Sequence, residues 1–269
     1  MSFTEHNVNG LIYDTSDVIT AAGSGAVHAF TTRHGGVSPA PYDSLNFADN
    51  KGDTSENLLE NYRLLGEAVG FDASRAVGCR QIHSDLVRIA SEEDASKILW
   101  DDRPYDADGL ITNVPNLPLF AYGTDCCVIT LYDPTSRSIG AVHAGWRGTA
   151  SGIALKAAVS MMSCYGADPY TLRAAIGPSF ETDSDVADAF FALLDPAMDE
   201  RIEKRGDKYH IDLKAINRLW LLRAGIDPSR VDVHPYCTKC HPERYWSHRA
   251  MGDQRGGMAA MICLTEDTL

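Results

Sequence analysis

The chain of 269 residues has no apolar run approaching the ~20 residues of a membrane-spanning helix, no excess of basic side chains and no paired-cysteine framework. Lys and Arg number 24 against 37 Asp and Glu, a formal net charge of −13. That balance argues against the basic face needed for non-specific nucleic-acid or anionic-membrane binding. Seven cysteines, an odd number scattered along the chain, suit reduced thiols. The opening MSFTEHNVNG lacks the basic start and apolar core of a signal peptide, so a cytoplasmic protein is expected. None of the nine histidines forms a His-x-His pair, which leaves a multicopper oxidase short of ligands. No repeat, linker or low-complexity segment interrupts the chain, so one domain over residues 1–269 is expected, as a monomer or homodimer. Apolar content of 44% and charged content of 23% are those of an ordinary globular protein.

What is present centres on Gly123 to Gly148, GTDCCVITLYDPTSRSIGAVHAGWRG. Val128 to Tyr132 and Ser138 to Val142 are β-branched or apolar runs, and Asp133-Pro134-Thr135-Ser136 between them is turn chemistry. A turn centred between Pro134 and Thr135 sets residues whose numbers sum to 269 opposite one another, so Cys126 faces His143. Opposed residues on one face have Cβ atoms about 4.5–5.5 Å apart, close enough for a sulfur and an imidazole to share one ion at bonds of roughly 2.0–2.3 Å. Cys127 points the other way and is expected in the core.

Elsewhere, Ala26 to Thr32 has strand composition and runs into Arg33-His34-Gly35-Gly36, a flexible turn whose N–H groups could approach an anion or simply face solvent. Asp53-Thr54-Ser55-Glu56 has the form of a capping box before a helix that Gly70 stops. Arg75 to Ala90 alternates like a strand, with Gln81-Ile82-His83-Ser84-Asp85 at its middle or in a bulge. Asp106 to Thr112 is a turn into a short apolar strand. Thr149 to Tyr165 reads as a helix whose N-terminus lies just beyond His143, where unpaired N–H groups and Arg147 would favour phosphate. Asp183 and Asp212 can cap helices to Leu194 and Ala224, and Met258 to Leu264 is a closing strand.

His83, Cys126 and His143 supply three donors, the number expected of a catalytic zinc that keeps a fourth position open. The same His2Cys set could hold copper, and each residue has an ordinary structural reading in a core or a strand. Cys237-x-x-Cys240-His241 could be half of a structural zinc site, but no second pair at matching spacing exists. Asp125, next to a candidate ligand, could exchange a proton, orient the site or make a turn hydrogen bond.

TTRHGG, Leu45-Asn46, QIHSD, DADGLIT, TDCCVI, AVHAGWRG, AAIGPS and the Cys237 to Arg249 tail, in this order, resemble the YfiH-type laccase-domain family over nearly the whole chain. Members of that family are described as polyphenol oxidoreductases or as zinc-dependent purine nucleoside phosphorylases. The resemblance implies an α/β (α+β) fold, a layered αββα sandwich with mixed sheets, related to toxins that use a Cys-His hydrolase pair. It implies one metal, zinc or alternatively copper, on His83, Cys126 and His143. It further implies small-molecule partners, phosphate and the nucleosides adenosine, inosine, guanosine and methylthioadenosine; for phosphate and substrate, Arg147 at the helix start with Arg33 or Arg249 as a second clamp, and Asn46, are the candidates. Phosphorolysis would be accompanied by adenosine deamination, with Asp125 and Arg147 as catalytic candidates. The alternatives are a copper-dependent polyphenol oxidase, a metal-free hydrolase with Cys126 as nucleophile and His143 as base, and a peptidoglycan-precursor editing factor. The chain departs from the family pattern at Phe180-Glu181-Thr182-Asp183, which follows AIGPS at once, and at YWSHRAMGDQRGG in the tail.

Overall fold

Alternation along the strands divides the apolar residues into three layers. In the strand Met258–Leu264, Ala260, Ile262 and Leu264 point to one side while Ala259, Met261 and Cys263 point to the other. In Cys127–Asp133, Val128 and Tyr132 face inward while Cys127, Ile129 and Leu131 face out. The inward sets meet between two sheets, and the outward sets are covered by helices. The computed structural model describes residues 3–180, 182–183, 187–193 and 195–266.

The first sheet is antiparallel throughout, in the order Phe3–Val8, Leu11–Ser16, Ala26–Thr31, Met258–Leu264 and Leu119–Gly123. The second is mixed, in the order Val231–Val233, Arg173–Ile176, Cys127–Asp133, Ser138–Ala144, Gly109–Thr112 and Val87–Ile89, with parallel pairs at its two edges. Helix Ser55–Val69 packs Tyr62 and Leu65 on the outer face of the first sheet. Ile153–Tyr165 and Leu213–Arg223 cover the second. This is the αββα layering that the resemblance implied. Strands Thr182–Asp183, Lys208–Ile211 and Ile202–Arg205 form a small third sheet.

Local sequence accounts for most element ends. Thr54 caps the helix Ser55–Val69 by accepting from Asn57 N, and Gly70, in the left-handed region, closes it. The cap is one position later than the motif suggested, because Asp53 accepts instead from Thr54 N and from the side chains of Asn46 and Asn57. Asp212 caps Leu213–Arg223 through Ala215 N. Of the helix expected over Asp183 to Leu194, Ala187–Phe191 is observed; Asp183, expected as its cap, is instead a strand residue paired with His210, and Glu181 and Leu194 lie outside the described residues.

Three expectations need correction. The hairpin register pairs Val128 with His143 and Asp133 with Ser138, so paired numbers sum to 271. Asp133 accepts from Ser136 N and Thr171 Oγ1, which stabilises a four-residue loop and moves the turn centre past Thr135. A shift of two in that sum preserves the facing, so Cys126 is a diagonal neighbour of His143 on the same side. The stretch Arg75 to Ala90 is mostly loop, with only Val87–Ile89 as a strand. The helix expected from Thr149 is two, Trp146–Ala150 and Ile153–Tyr165, broken at Gly152, whose φ is +74°.

Candidate metal centre

The chain leaves the first sheet at Gly123 and enters the second at Cys127, so Thr124, Asp125 and Cys126 form the crossing at one end of the inter-sheet layer. His143, near the end of Ser138–Ala144, faces the same layer. His83 comes from a loop and holds a positive φ of 60°, an uncommon conformation for a residue with a side chain. The donor atoms of His83, Cys126 and His143 all lie within 4.8 Å of one another.

Asp108, 1% exposed, assembles this arrangement. One carboxylate oxygen accepts from His83 N at 3.1 Å and takes the Nδ1 edge of His143 at 2.8 Å. The other accepts from Ser84 N and Ser84 Oγ, both at 2.6 Å, and from Ile82 N at 3.3 Å. The backbone of Asp108 also accepts from His143 N. The 82–84 loop is therefore wrapped around one buried carboxylate, which explains why the QIHSD segment does not continue as a strand. With Nδ1–H donated to Asp108, His143 presents Nε2 to the other two donors. Gln81 fastens the loop from the other side, its amide exchanging two 2.7 Å hydrogen bonds with the backbone of Tyr122.

Burial opposes ionisation of Cys126, but His143 and then His83 outweigh it and bring the thiol down to about 6. Burial also opposes protonation of His143, which the Cys126 thiolate and Asp108 overcome, raising it to about 9. Asp108 is held below the usual carboxylate range: burial raises it, and the hydrogen bonds from His143 and Ser84 more than offset that. A thiolate and two imidazoles at this spacing fit a divalent ion, since tetrahedral bonds of about 2.0–2.3 Å place donors roughly 3.5 Å apart. Gly145 makes the approach possible. A Cβ there would lie 2.9 Å from His83 Cδ2, 3.3 Å from His143 Cε1 and 3.4 Å from Cys126 Sγ. Cys127, in the core, is pushed by burial up to about 12. Among the described residues no other His, Cys, Asp and Glu cluster offers three donors.

The trio lies at the floor of a cleft of about 620 Å³, walled by Phe47, Trp100, Tyr122, Trp146 and Phe180, a size suited to a small-molecule ligand. Asp125 and Arg249 also line it. Asp125 accepts from Thr238 Oγ1 at 2.7 Å and from Arg249 N at 3.0 Å, so it ties two tail loops to the crossing segment. The structure does not bring Arg33, Asn46 or Arg147 to the cleft wall. Arg33 lies 3.9 Å over the Trp246 ring and donates to Pro242 O and Asp43 O. Gly35 N and Gly36 N, considered as anion donors, are both taken by Ser44 Oγ. Buried Asn46 accepts from Ala48 N and Gly257 N and so shapes the wall from behind. Arg147 is exposed, 4.2 Å over its neighbour Trp146.

Cys237 contacts Cys240, while His241 turns to Glu243 at 3.2 Å, so the CxxCH segment gathers no third donor. Sequence reasoning left Asp108, Gln81, Gly145 and Arg255 without roles. Asp108 stood in DADGLIT and Gln81 in QIHSD, but nothing local to either motif reveals a partner some 25 to 41 residues away.

Fold and centre together define a class: a layered α+β protein with, among the described residues, one His2Cys cluster at the crossing between its two sheets. The chain belongs to the family described as multi-copper polyphenol oxidoreductase laccase, which matches residues 27–265. It is 33% identical over 252 residues to "Purine nucleoside phosphorylase YlmD" of Geobacillus stearothermophilus, covering 91% of this chain and 92% of that protein. It is 35% identical over 244 residues to "Purine nucleoside phosphorylase" of Deinococcus radiodurans, with 88% of each covered. The crystal structure of YlmD from Geobacillus stearothermophilus superposes with a TM-score of 0.90 at 30% identity, covering 99% of this chain and all of that one.

Proposed function

We propose that the protein is a zinc-dependent purine nucleoside phosphorylase that takes adenosine, inosine, guanosine and methylthioadenosine and also deaminates adenosine. The observation that carries this reading is the His83, Cys126 and His143 cluster on the floor of an aromatic-walled cleft, in a chain whose relatives bear the phosphorylase name. Copper oxidation of phenols by several ions is less well supported, because one three-donor cluster is found among the described residues.

A divalent ion bound by the trio would supply Lewis acidity at an open fourth position. The chain's own groups do the remainder. Trp100 and Trp146, both partly exposed on the cleft wall, offer flat faces for a purine. Asp125 holds or releases a proton beside Cys126, and Arg249 adds positive charge at the rim. Arg33 and Asn46 act through the segments they pin. We further infer that residues 1–269 work as one domain, because Met258–Leu264 is paired between early and middle strands. The seven unpaired cysteines support a cytoplasmic location.

The test is elemental analysis of protein purified without added metal, followed by product identification from adenosine with and without phosphate. Near-stoichiometric zinc, adenine plus ribose 1-phosphate when phosphate is present, and inosine without it are expected. Absence of all three products would sink the reading. A second reading, a metal-free hydrolase, is favoured by the Cys126, His143 and Asp108 alignment. Activity that survives metal removal and is lost on alkylation of Cys126 would select it.

A further inference from the structure

The cations around the cleft fall into two sets. Arg103 is bonded to Asp49 Oδ2 at 2.5 Å and to Ile98 O, and lies 4.4 Å over the Tyr122 ring. Lys51 lies beside Asp253 at 3.5 Å. These charges are already answered within the protein.

Arg255 is different. It lines the cleft, is only 9% exposed, and has no carboxylate within ion-pair distance among the described residues. Nη1 donates to Thr124 Oγ1 at 2.9 Å and to Gly256 O at 2.8 Å, both on segments that build the cleft. Nε is buried without a partner, and Nη2 makes no hydrogen bond to a described residue. Asp125, Asp253 and Cys126 act on it only at longer range, and the Asp125 carboxylate is engaged by Thr238 Oγ1 and Arg249 N. A buried guanidinium without a paired anion is unfavourable, and here Nη2 is the donor left without a hydrogen bond and not enclosed by the protein, free to meet an oxyanion.

We infer that Arg255 is the phosphate-binding residue of the cleft, its uncommitted Nη2 donating to an oxygen of the dianion while Thr124 and Gly256 hold the guanidinium from behind. The choice of phosphate among tetrahedral oxyanions rests on the phosphorylase reading. The position differs from the helix start beside Arg147, where the sequence placed the anion: that helix has five residues, and its arginine faces solvent outside the cleft. Arg249, which has no ion-pair partner among the described residues and lies over Phe180 at 5.6 Å, adds a second charge at the rim.

The test is calorimetric titration of inorganic phosphate into zinc-loaded wild type, Arg255→Gln and Arg255→Lys, with metal content and melting temperature measured on each sample. One phosphate per chain is expected for wild type, displaced by sulfate. Arg255→Gln should weaken binding at least roughly 30-fold, and Arg255→Lys, which keeps the charge but loses the fork, should fall between. Binding by Arg255→Gln within threefold of wild type, with its metal retained, overturns the assignment even if phosphorolysis is intact. So does a wild-type protein that binds neither phosphate nor sulfate. Should Arg255→Gln fail to fold or to hold metal, Arg255→Lys decides, and unweakened binding by it counts against the assignment. Phosphate binding through Arg255 without ribose 1-phosphate formation would leave the anion site standing and remove the phosphorylase reading instead.

Discussion

Asp108 places two of the three donors with one carboxylate, orienting His143 through its ring and His83 through its backbone. Replacing it with Asn removes the charge and offers the wrong group to one of its donors. The expected result for Asp108→Asn is a 10- to 100-fold loss of metal affinity, read by competition with a chromophoric chelator. Unchanged affinity would mean that the loop holds itself. The state of Cys126 makes a second prediction at this scale. In metal-stripped protein, its alkylation rate should rise as pH passes about 6 and level off by pH 7.5, whereas an ordinary thiol with a pKa near ~8.5 is still accelerating there. A midpoint above 8 would contradict the thiolate and imidazolium pairing. At this scale the candidate ligands were legible because TDC and AVHAGWRG are specific words, while Asp108 was not: an aspartate before a glycine looks like any turn former.

The hairpin shows what an element inherits from its turn. Alternation alone puts Cys126 and His143 on the same side whether numbers sum to 269 or 271, but which residues stand directly opposite is decided by the Asp133 carboxylate closing a four-residue loop. The strand expected across Gln81 to Asp85 was lost for a related reason. Its amides are satisfied by a buried carboxylate rather than by a neighbouring strand. Past the hairpin, Gly145 caps the five-residue helix and lies against all three donors. Gly145→Ala should therefore lower metal affinity by at least tenfold, with the metal-free protein still unfolding cooperatively; metal-binding and denaturation curves on the same sample check both halves. Gln81→Ala should act in the same direction more weakly, since Asp108 still holds the 82–84 amides.

Across the whole molecule, buried titratable groups make the fold acid-sensitive. His28, buried between strands and accepting from Ser16 N, is depressed to about 4, by burial first and by the charge of His6 second. The unfolded chain takes up that proton below about 6.5 while the folded one does not, so stability falls as pH drops from about 6.5 to about 4, by up to roughly 3 kcal/mol. Asp14 is raised by burial but brought below the carboxylate range by His234 and Arg244, and like Asp108 it contributes stability at neutral pH that is lost as pH falls through its lowered value. Metal-free protein should thus show a lower urea midpoint at pH 4.5 than at pH 7, and His28→Gln should flatten that difference. A midpoint that does not move over this range would contradict the account. Periodicity, turn chemistry and caps, all local, determined the central hairpin, the strands at Ala26–Thr31, Gly109–Thr112 and Met258–Leu264, the helices Ser55–Val69 and Leu213–Arg223 with the stop at Gly70, and the residue types able to bind a metal, but not the strands Phe3–Val8, Leu11–Ser16 and Leu119–Gly123. Which segments meet was decided only by tertiary structure. The site joins residues 83, 108, 126, 143 and 255 through a sheet crossing and a buried carboxylate, and neither a register nor an uncompensated charge exists until distant segments have excluded water together.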